Sequence, residues 1–335
     1  MIKNYLNSCF LLFLLGLLAC KPQDRYILET KTAFFLAKDK QSGEKQLLSI
    51  SKNGANQLKL HEVWGISSQN LGDMTGKDML FWVSETNTNK LHFIDPTTQT
   101  IEKTISLGDI SPTLICVGDR HLFIGDSVHQ KIAFWNMKSE KLEGLQRVES
   151  KPLFAEWNSG KFYTAFADKT LAIYSEDIYS YRNKVSLSNP IVGLLLAVKL
   201  NELNLIIQTK NANDSLLESK LEVQADNFLT ANDIENAPKP YYQKKRISPY
   251  SYAPFGKETT TDIRLLNQKL NLPSSAKFLN QNISNFEMDF FDSEIYAQQN
   301  DSLKIYSLPQ AAYLQKFAYQ GELLKGYYYR DYQGE

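Results

Sequence analysis

The sequence predicts an all-β fold made of repeated four-stranded units, and three observations predict it. The first is an internal period. Residues 81–95 (Phe-Trp-Val-Ser-Glu-Thr-Asn-Thr-Asn-Lys-Leu-His-Phe-Ile-Asp) align without gaps to residues 122–136 (Leu-Phe-Ile-Gly-Asp-Ser-Val-His-Gln-Lys-Ile-Ala-Phe-Trp-Asn) at an offset of 41. Residues 161–175 continue the pattern at an offset of 39, and residues 294–307 return to it near the end. The second is the content of each copy: an apolar strand, a polar turn, then an alternating strand such as Leu91-His92-Phe93-Ile94. Alternation with a period of two buries one strand face. The third is a proline beat. Pro112, Pro152 and Pro190 recur at intervals of 40 and 38, each ahead of an apolar run. Proline has no N–H to give to a ladder, so it suits the loop that enters a unit's innermost strand. Four short strands every ~40 residues specify a single β-propeller.

The units follow in order. Residues 32–64 read as the first, with a longer turn at Lys40-Gln-Ser-Gly-Glu-Lys45. The three aligned copies supply the next three, and residues 203–228 the fifth. Asp262-Ile-Arg-Leu-Leu266 with Phe286-Glu-Met-Asp-Phe290 belongs to a sixth region, and residues 292–335 form the last. Seven four-stranded blades are expected, and six or eight also fit the arithmetic. Ring closure pairs the first strand with the last, Tyr26 to Leu28 with Lys325 to Arg330. In the closing run, Tyr327-Tyr-Tyr-Arg-Asp-Tyr332, alternation puts Tyr327 and Tyr329 on one face and Tyr328 on the other.

Residues 81–112 resemble the repeat of the surface-layer, YVTN-type propellers. The matching pieces are Val83-Ser-Glu-Thr-Asn-Thr-Asn89, Ile94-Asp95, Ile105-Ser-Leu-Gly108 and Pro112. The likeness extends over about residues 77–197, and it implies a fold and no particular activity.

The chain opens with another recognisable segment. A short polar start carrying Lys3 leads into the apolar run from Phe10, which ends in Leu17-Leu18-Ala19-Cys20. The run is shorter than the roughly 20 apolar residues that span a bilayer, and it suits the core of a secretory leader. It resembles a bacterial lipoprotein signal with its lipobox. The resemblance implies a signal peptide at 1–19, a lipid on Cys20, a short tether at 20–25 and a propeller domain at 26–335. Lys21 follows Cys20 where the family uses Asp for inner-membrane retention, so the expected address is the outer membrane, facing the periplasm or the cell surface. Multiple acyl chains anchor far more firmly than one, at about 0.8 kcal/mol per buried methylene.

Charge excludes some functions. Lys plus Arg and Asp plus Glu both number 37, so no basic excess points to nucleic acid. Cys116 is the one cysteine outside the leader and the lipobox. The mature chain therefore has no internal disulfide to form, and packing must supply its stability. Cys116, in Thr-Leu-Ile-Cys-Val, reads as a small buried strand residue.

The search for catalytic or cofactor chemistry gives little. His61, His92, His121 and His129 form no pair at metal-ligand spacing. No nucleophile elbow or phosphate-binding glycine loop occurs, so no catalytic residue, metal or cofactor is assigned. Glu85 and Asp126 occupy matching places, where the next copy has Ala165. They read as solvated turn carboxylates or as part of a Ca²⁺-binding ring. Trp64, Trp82, Trp135 and Trp157 read as core.

Residues 237–257 break the rhythm, being rich in proline, tyrosine and cations. They read as a long surface loop and a candidate partner contact, through Tyr241, Tyr242, Tyr250 and Tyr252 with Lys244, Lys245 and Arg246. Interfaces favour tyrosine and arginine. The expected function is a membrane-anchored, non-catalytic binding or scaffold module for a protein or glycan in the envelope. The alternative is an enzyme acting on envelope carbohydrate or peptide, with its site at the central channel.

Overall fold

The structure is a computed structural model. It describes residues 26–52, 58–62, 66, 68–77, 79–158, 160–199, 202–213, 216–222, 230–235, 251–255, 261–266, 277–281, 285–289, 294–307 and 312–334. These residues form seven antiparallel sheets. The first contains β1 (Tyr26–Asp39), β2 (Lys45–Lys52) and β3 (Leu58–Glu62). The second contains β4 (Leu71–Lys77), β5 (Leu80–Glu85), β6 (Lys90–Asp95) and β7 (Thr100–Ser106). The third contains β8 (Leu114–Val117), β9 (His121–Asp126), β10 (Lys131–Asn136) and β11 (Lys141–Arg147). The fourth contains β12 (Pro152–Asn158), β13 (Lys161–Phe166), β14 (Thr170–Ser175) and β15 (Tyr181–Ser186).

Among the described residues the fifth and sixth sheets have three strands each. The fifth contains β16 (Ile191–Lys199), β17 (Glu202–Lys210) and β18 (Leu216–Glu222), followed by a short helix α1 (Ala231–Glu235). The sixth contains β19 (Ser251–Phe255), β20 (Thr261–Leu266) and β21 (Lys277–Gln281). The seventh contains β22 (Asn285–Asp289), β23 (Glu294–Gln299), β24 (Ser302–Ser307) and β25 (Ala312–Ala318). The last strand, β26 (Gly321–Gly334), returns to the first sheet and pairs with β1.

The chain is thus a seven-sheet β-propeller whose ends share one blade. Strands β26, β4, β8, β12 and β16 touch in that order, and β22 touches β26. Counting outward from the centre, so that β26 is the first strand of the first blade and β1 the second, the first strand of each of these blades lies on the inside and the fourth on the rim. Turns joining first to second and third to fourth strands open on one face, called upper here. Turns joining second to third strands, and links to the next blade, open on the lower face.

The core is divided among the seams between blades. Phe34, Leu36 and Leu47 of the first blade pack on Met74, Phe81 and Val83 of the second, with Tyr327 and Tyr329 between them. Tyr328 packs on the other side, beside Phe35 and Tyr296. The predicted alternation of the closing tyrosines is therefore observed. Cys116 is buried in the third-to-fourth seam with Phe123, Phe134 and Phe162.

The turns repeat as well. Asp95 accepts the Thr97 N–H at 2.8 Å, and Asn136 accepts those of Lys138 and Ser139 at 2.9 Å. These side chains seed the third-to-fourth turns. Each turn then closes through a left-handed residue: Gln99 at φ 57°, Glu140 at 56°, Tyr179 at 54°. The next strand carries one extra residue. Lys103 faces Phe93 and Ile101 faces Ile94, so Glu102 is a β-bulge. Glu143, Arg182 and Leu314 are bulges at the same place in three other blades.

Three details depart from the sequence reading. Strand β1 runs to Asp39, so Tyr26 to Leu28 pair with Gly334 to Tyr332, and Lys325 to Arg330 face Leu36 to Lys31. Phe286 lies in β22 of the seventh blade and not with residues 262–266, while 321–334 complete the first. Residues 251–255 form β19 and pair with β20; alternation was hidden there by Pro254, which a strand at a sheet margin tolerates.

Candidate functional site

A polar cluster lies on the upper face, at the seam between the third and fourth blades. It starts from a turn. After β14 the chain bends at Ser175 to Ser180, with the Tyr179 N–H on the Ser175 carbonyl at 3.1 Å. The bend drives the Glu176 side chain under the neighbouring blade, where it is 1% exposed. One carboxylate oxygen accepts the backbone N–H groups of Arg120 and His121 at 2.7 and 2.8 Å. The other accepts the Trp157 indole N–H at 3.1 Å. A buried carboxylate is tolerable only when its lone pairs are met in this way. Gly118 makes the room, because a Cβ there would sit 2.7 Å from that carboxylate and 2.8 Å from the Phe162 ring.

His121 stands between two carboxylates. Its Nδ1 lies 3.5 Å from Glu176, and its Nε2 lies 2.9 Å from Glu143. Glu143 reaches it because it is the bulge residue of β11, and bulges re-aim side chains. Tyr179 donates its hydroxyl to the same Glu143 oxygen. That hydrogen bond, the His121 contact and smaller ones from Asn136 and Ser139 pull the Glu143 carboxyl down to about 2. The same Glu143 bond pushes the Tyr179 phenol up. Gly144 lets Tyr179 lie close, since a Cβ there would come within 2.9 Å of the Tyr179 Cβ. Around the cluster, Lys77 lies 3.9 Å over the Trp157 ring and pairs with Asp119, while Arg120 pairs with Asp177.

The lower face places the matched acids differently from either expectation. Glu85 and Asp126 are 7% and 0% exposed, so neither is a solvated turn carboxylate. Asp126 accepts the Ser111, Val128 and His129 N–H groups at 2.8 to 3.0 Å and contacts His129 Nδ1. Glu85 accepts the Thr88 hydroxyl at 2.6 Å and lies 3.4 Å from His92. Each acid organises its own turn, and no group of metal ligands forms among the described residues. On the inner strands Asp73 accepts the Ile115 N–H at 3.0 Å and pairs with Lys325 at 3.2 Å. Thr75 accepts the Val117 N–H in the same way. Here side chains of one inner strand satisfy backbone donors of the next.

Tyr241, Tyr242, Lys244, Lys245, Arg246 and Tyr250 lie outside the described residues, as do Cys20, the rest of the leader and Trp64. Tyr252 lies in β19, opposite Leu265. Trp82 is core as expected, whereas Trp157 is half-buried and serves Glu176. Sequence reasoning missed Glu143, Glu176 and Tyr179. The one signal was positional, since Tyr179 falls where the preceding turns have Gln99 and Glu140.

The class this architecture defines is the β-propeller. No family model matches the chain, and no curated protein matches it. Solved structures agree on the fold. The computationally designed protein Ika8 is similar with a TM-score of 0.50 at 13% identity, over 87% of this chain and 89% of its own. The dihydro-heme d1 dehydrogenase NirN, solved in complex with DHE, is similar with a TM-score of 0.52 at 9% identity, over 88% of this chain and 74% of its own. At such identities the likeness is one of fold alone.

Proposed function

We propose that the chain is an outer-membrane lipoprotein whose propeller is a non-catalytic binding or scaffold module for a protein or glycan in the cell envelope. The observation that carries the non-catalytic part is the fate of the buried acids. Glu176 spends both oxygens on backbone and indole N–H groups. Asp126 and Asp73 likewise hold turns and neighbouring strands. These groups are committed to the fold. The anchoring part rests on Leu17-Leu18-Ala19-Cys20, and the near-neutral charge argues against nucleic acid. Residues 241–252 are the proposed contact segment.

Affinity purification of the intact protein from its own membrane tests this reading, with intact-mass analysis of the same sample. Expected are a mature chain beginning at lipidated Cys20 and a reproducible envelope partner. An unmodified Cys20 removes the anchor, and the absence of any partner removes the scaffold.

One observation favours an enzyme acting on envelope carbohydrate or peptide, with its site at the rim of the third blade and not at the central channel. The Glu143 side chain is 28% exposed beside His121 and Tyr179, so a carboxylate–imidazole pair reaches solvent. Turnover of an envelope substrate that is lost in Glu143→Gln would establish that reading in place of the first.

A further inference from the structure

Strands β1 and β26 are 14 residues long, about twice the length of most others. Their pairing outruns the blade. The next strand, β2, pairs with β1 only from Lys31 to Lys38. Beyond it, Thr30 pairs with Asp331, and Leu28, Ile27 and Tyr26 pair with Tyr332, Gln333 and Gly334. These residues make a two-stranded ribbon outside the four-stranded sheet. Its direction is fixed by register. Asp39 and Gly321 meet at the lower face, beside the β1–β2 turn. Tyr26 and Gly334 are at the opposite end, so the ribbon leaves through the upper face. Five strand residues project it by roughly 15 Å.

Cys20 lies six residues before Tyr26. Six backbone steps span at most about 20 Å. Resting on the lipid anchor proposed above, we infer that the propeller meets its membrane with the upper face: the ribbon is a stalk, the upper face looks toward the lipid headgroups, and the lower face is the surface left open to partners. A flexible tether attached to a blade's rim would leave orientation free. A hydrogen-bonded ribbon, continuous with the innermost strand pair of the first blade, sets the direction in which the chain departs. Exposed apolar turn tips occur on both faces, Met79 at 69% and Ile178 at 57% on the upper and Val128 at 60% on the lower, so the ribbon alone carries the orientation.

The test uses the lipidated protein, extracted and reconstituted into phosphatidylethanolamine–phosphatidylglycerol vesicles that carry a trace of rhodamine-headgroup lipid. Donor dyes go on Ile178→Cys, on the upper face, and Val128→Cys, on the lower. Cys116 is buried and does not compete for label. A blade strand's length of roughly 20 Å separates the two levels, so energy transfer to the lipid should be at least about twofold greater at 178 than at 128. Met79→Cys reports the same face should Ile178→Cys not fold. Equal transfer at both levels, or greater transfer at 128, overturns the orientation. Flotation distinguishes the two ideas. A protein that does not float with the vesicles has no anchor, and both readings fall; one that floats with the wrong gradient loses the orientation alone.

Discussion

At the scale of single residues, the seam between the third and fourth blades depends on hydrogen bonds that two side chains concentrate. Tyr179 is the main cause of the low Glu143 value, ahead of His121. Tyr179→Phe should therefore raise the Glu143 midpoint from about 2 toward the ordinary 4.5, as read by NMR titration of its carboxyl. The sign for stability follows from linkage. A carboxyl held low in the folded state stabilises above its ordinary range, and that stability is lost as pH falls from 4.5 toward 2. Tyr179, held high, acts in reverse: its contribution is present below 10 and is lost above it. Glu176→Ala should cost more than loss of the exposed acid. It leaves the buried His121 N–H and the half-buried N–H groups of Arg120 and Trp157 unpaired, at up to about 1–3 kcal/mol each before relaxation or entering water. A loss of about 3 kcal/mol in denaturant unfolding is expected; a loss below about 1 kcal/mol would mean that water replaces the carboxylate. None of this was legible in the sequence. Glu143 and Glu176 are ordinary surface-type residues in polar stretches, and their main partners lie 19 to 56 positions away along the chain, several of them in the other blade.

At the scale of elements, the sequence was more informative because turns and alternation are local. The 41-residue register placed β5 with β9 and β6 with β10, and all four strands are found. The prolines entered the inner strands as expected, with Pro152 the first residue of β12. The reading weakened where alternation failed, at 237–257, and it assigned β22 to the wrong blade. Strand identity depends on a few residues, whereas membership of a sheet depends on pairing across a loop of unconstrained length. The left-handed turn positions are a testable consequence. Gln130 is exposed and sits at φ 54°. Left-handed backbone costs an L-residue roughly 1–2 kcal/mol, most for β-branched ones. Gln130→Gly should be neutral or stabilising by about 0.5 kcal/mol, because glycine's greater unfolded freedom offsets part of the relief. Gln130→Ile should destabilise by about 1–2 kcal/mol. Thermal unfolding of the pair measures both, and an unchanged isoleucine variant would show that the turn relaxes to another shape.

At the scale of the whole molecule, one strand joins the two ends of the chain. Lys325 of β26 reaches Asp73, the Tyr329 hydroxyl contacts Thr97 at 2.8 Å, and the Tyr327 ring lies over Gly76. The first blade therefore depends on the last fifteen residues to be made. A chain ending at Gln320 would leave β1 with a bare inner edge and should lose cooperative unfolding, as followed by circular dichroism and calorimetry. A truncated chain that still unfolds in a single transition near the full-length midpoint would show that closure is dispensable. The repeated bulges carry a different consequence. Straight rim strands offer unpaired N–H and C=O groups to any similar edge, and a bulge spoils that match. Glu102, Glu143, Arg182 and Leu314 interrupt the rim in four blades. On a lipid sheet, molecules share two dimensions and meet rim to rim far more often than in bulk. A propeller notched at four places on its rim can crowd on the membrane proposed above and still slide past its neighbours there without zipping into fibres.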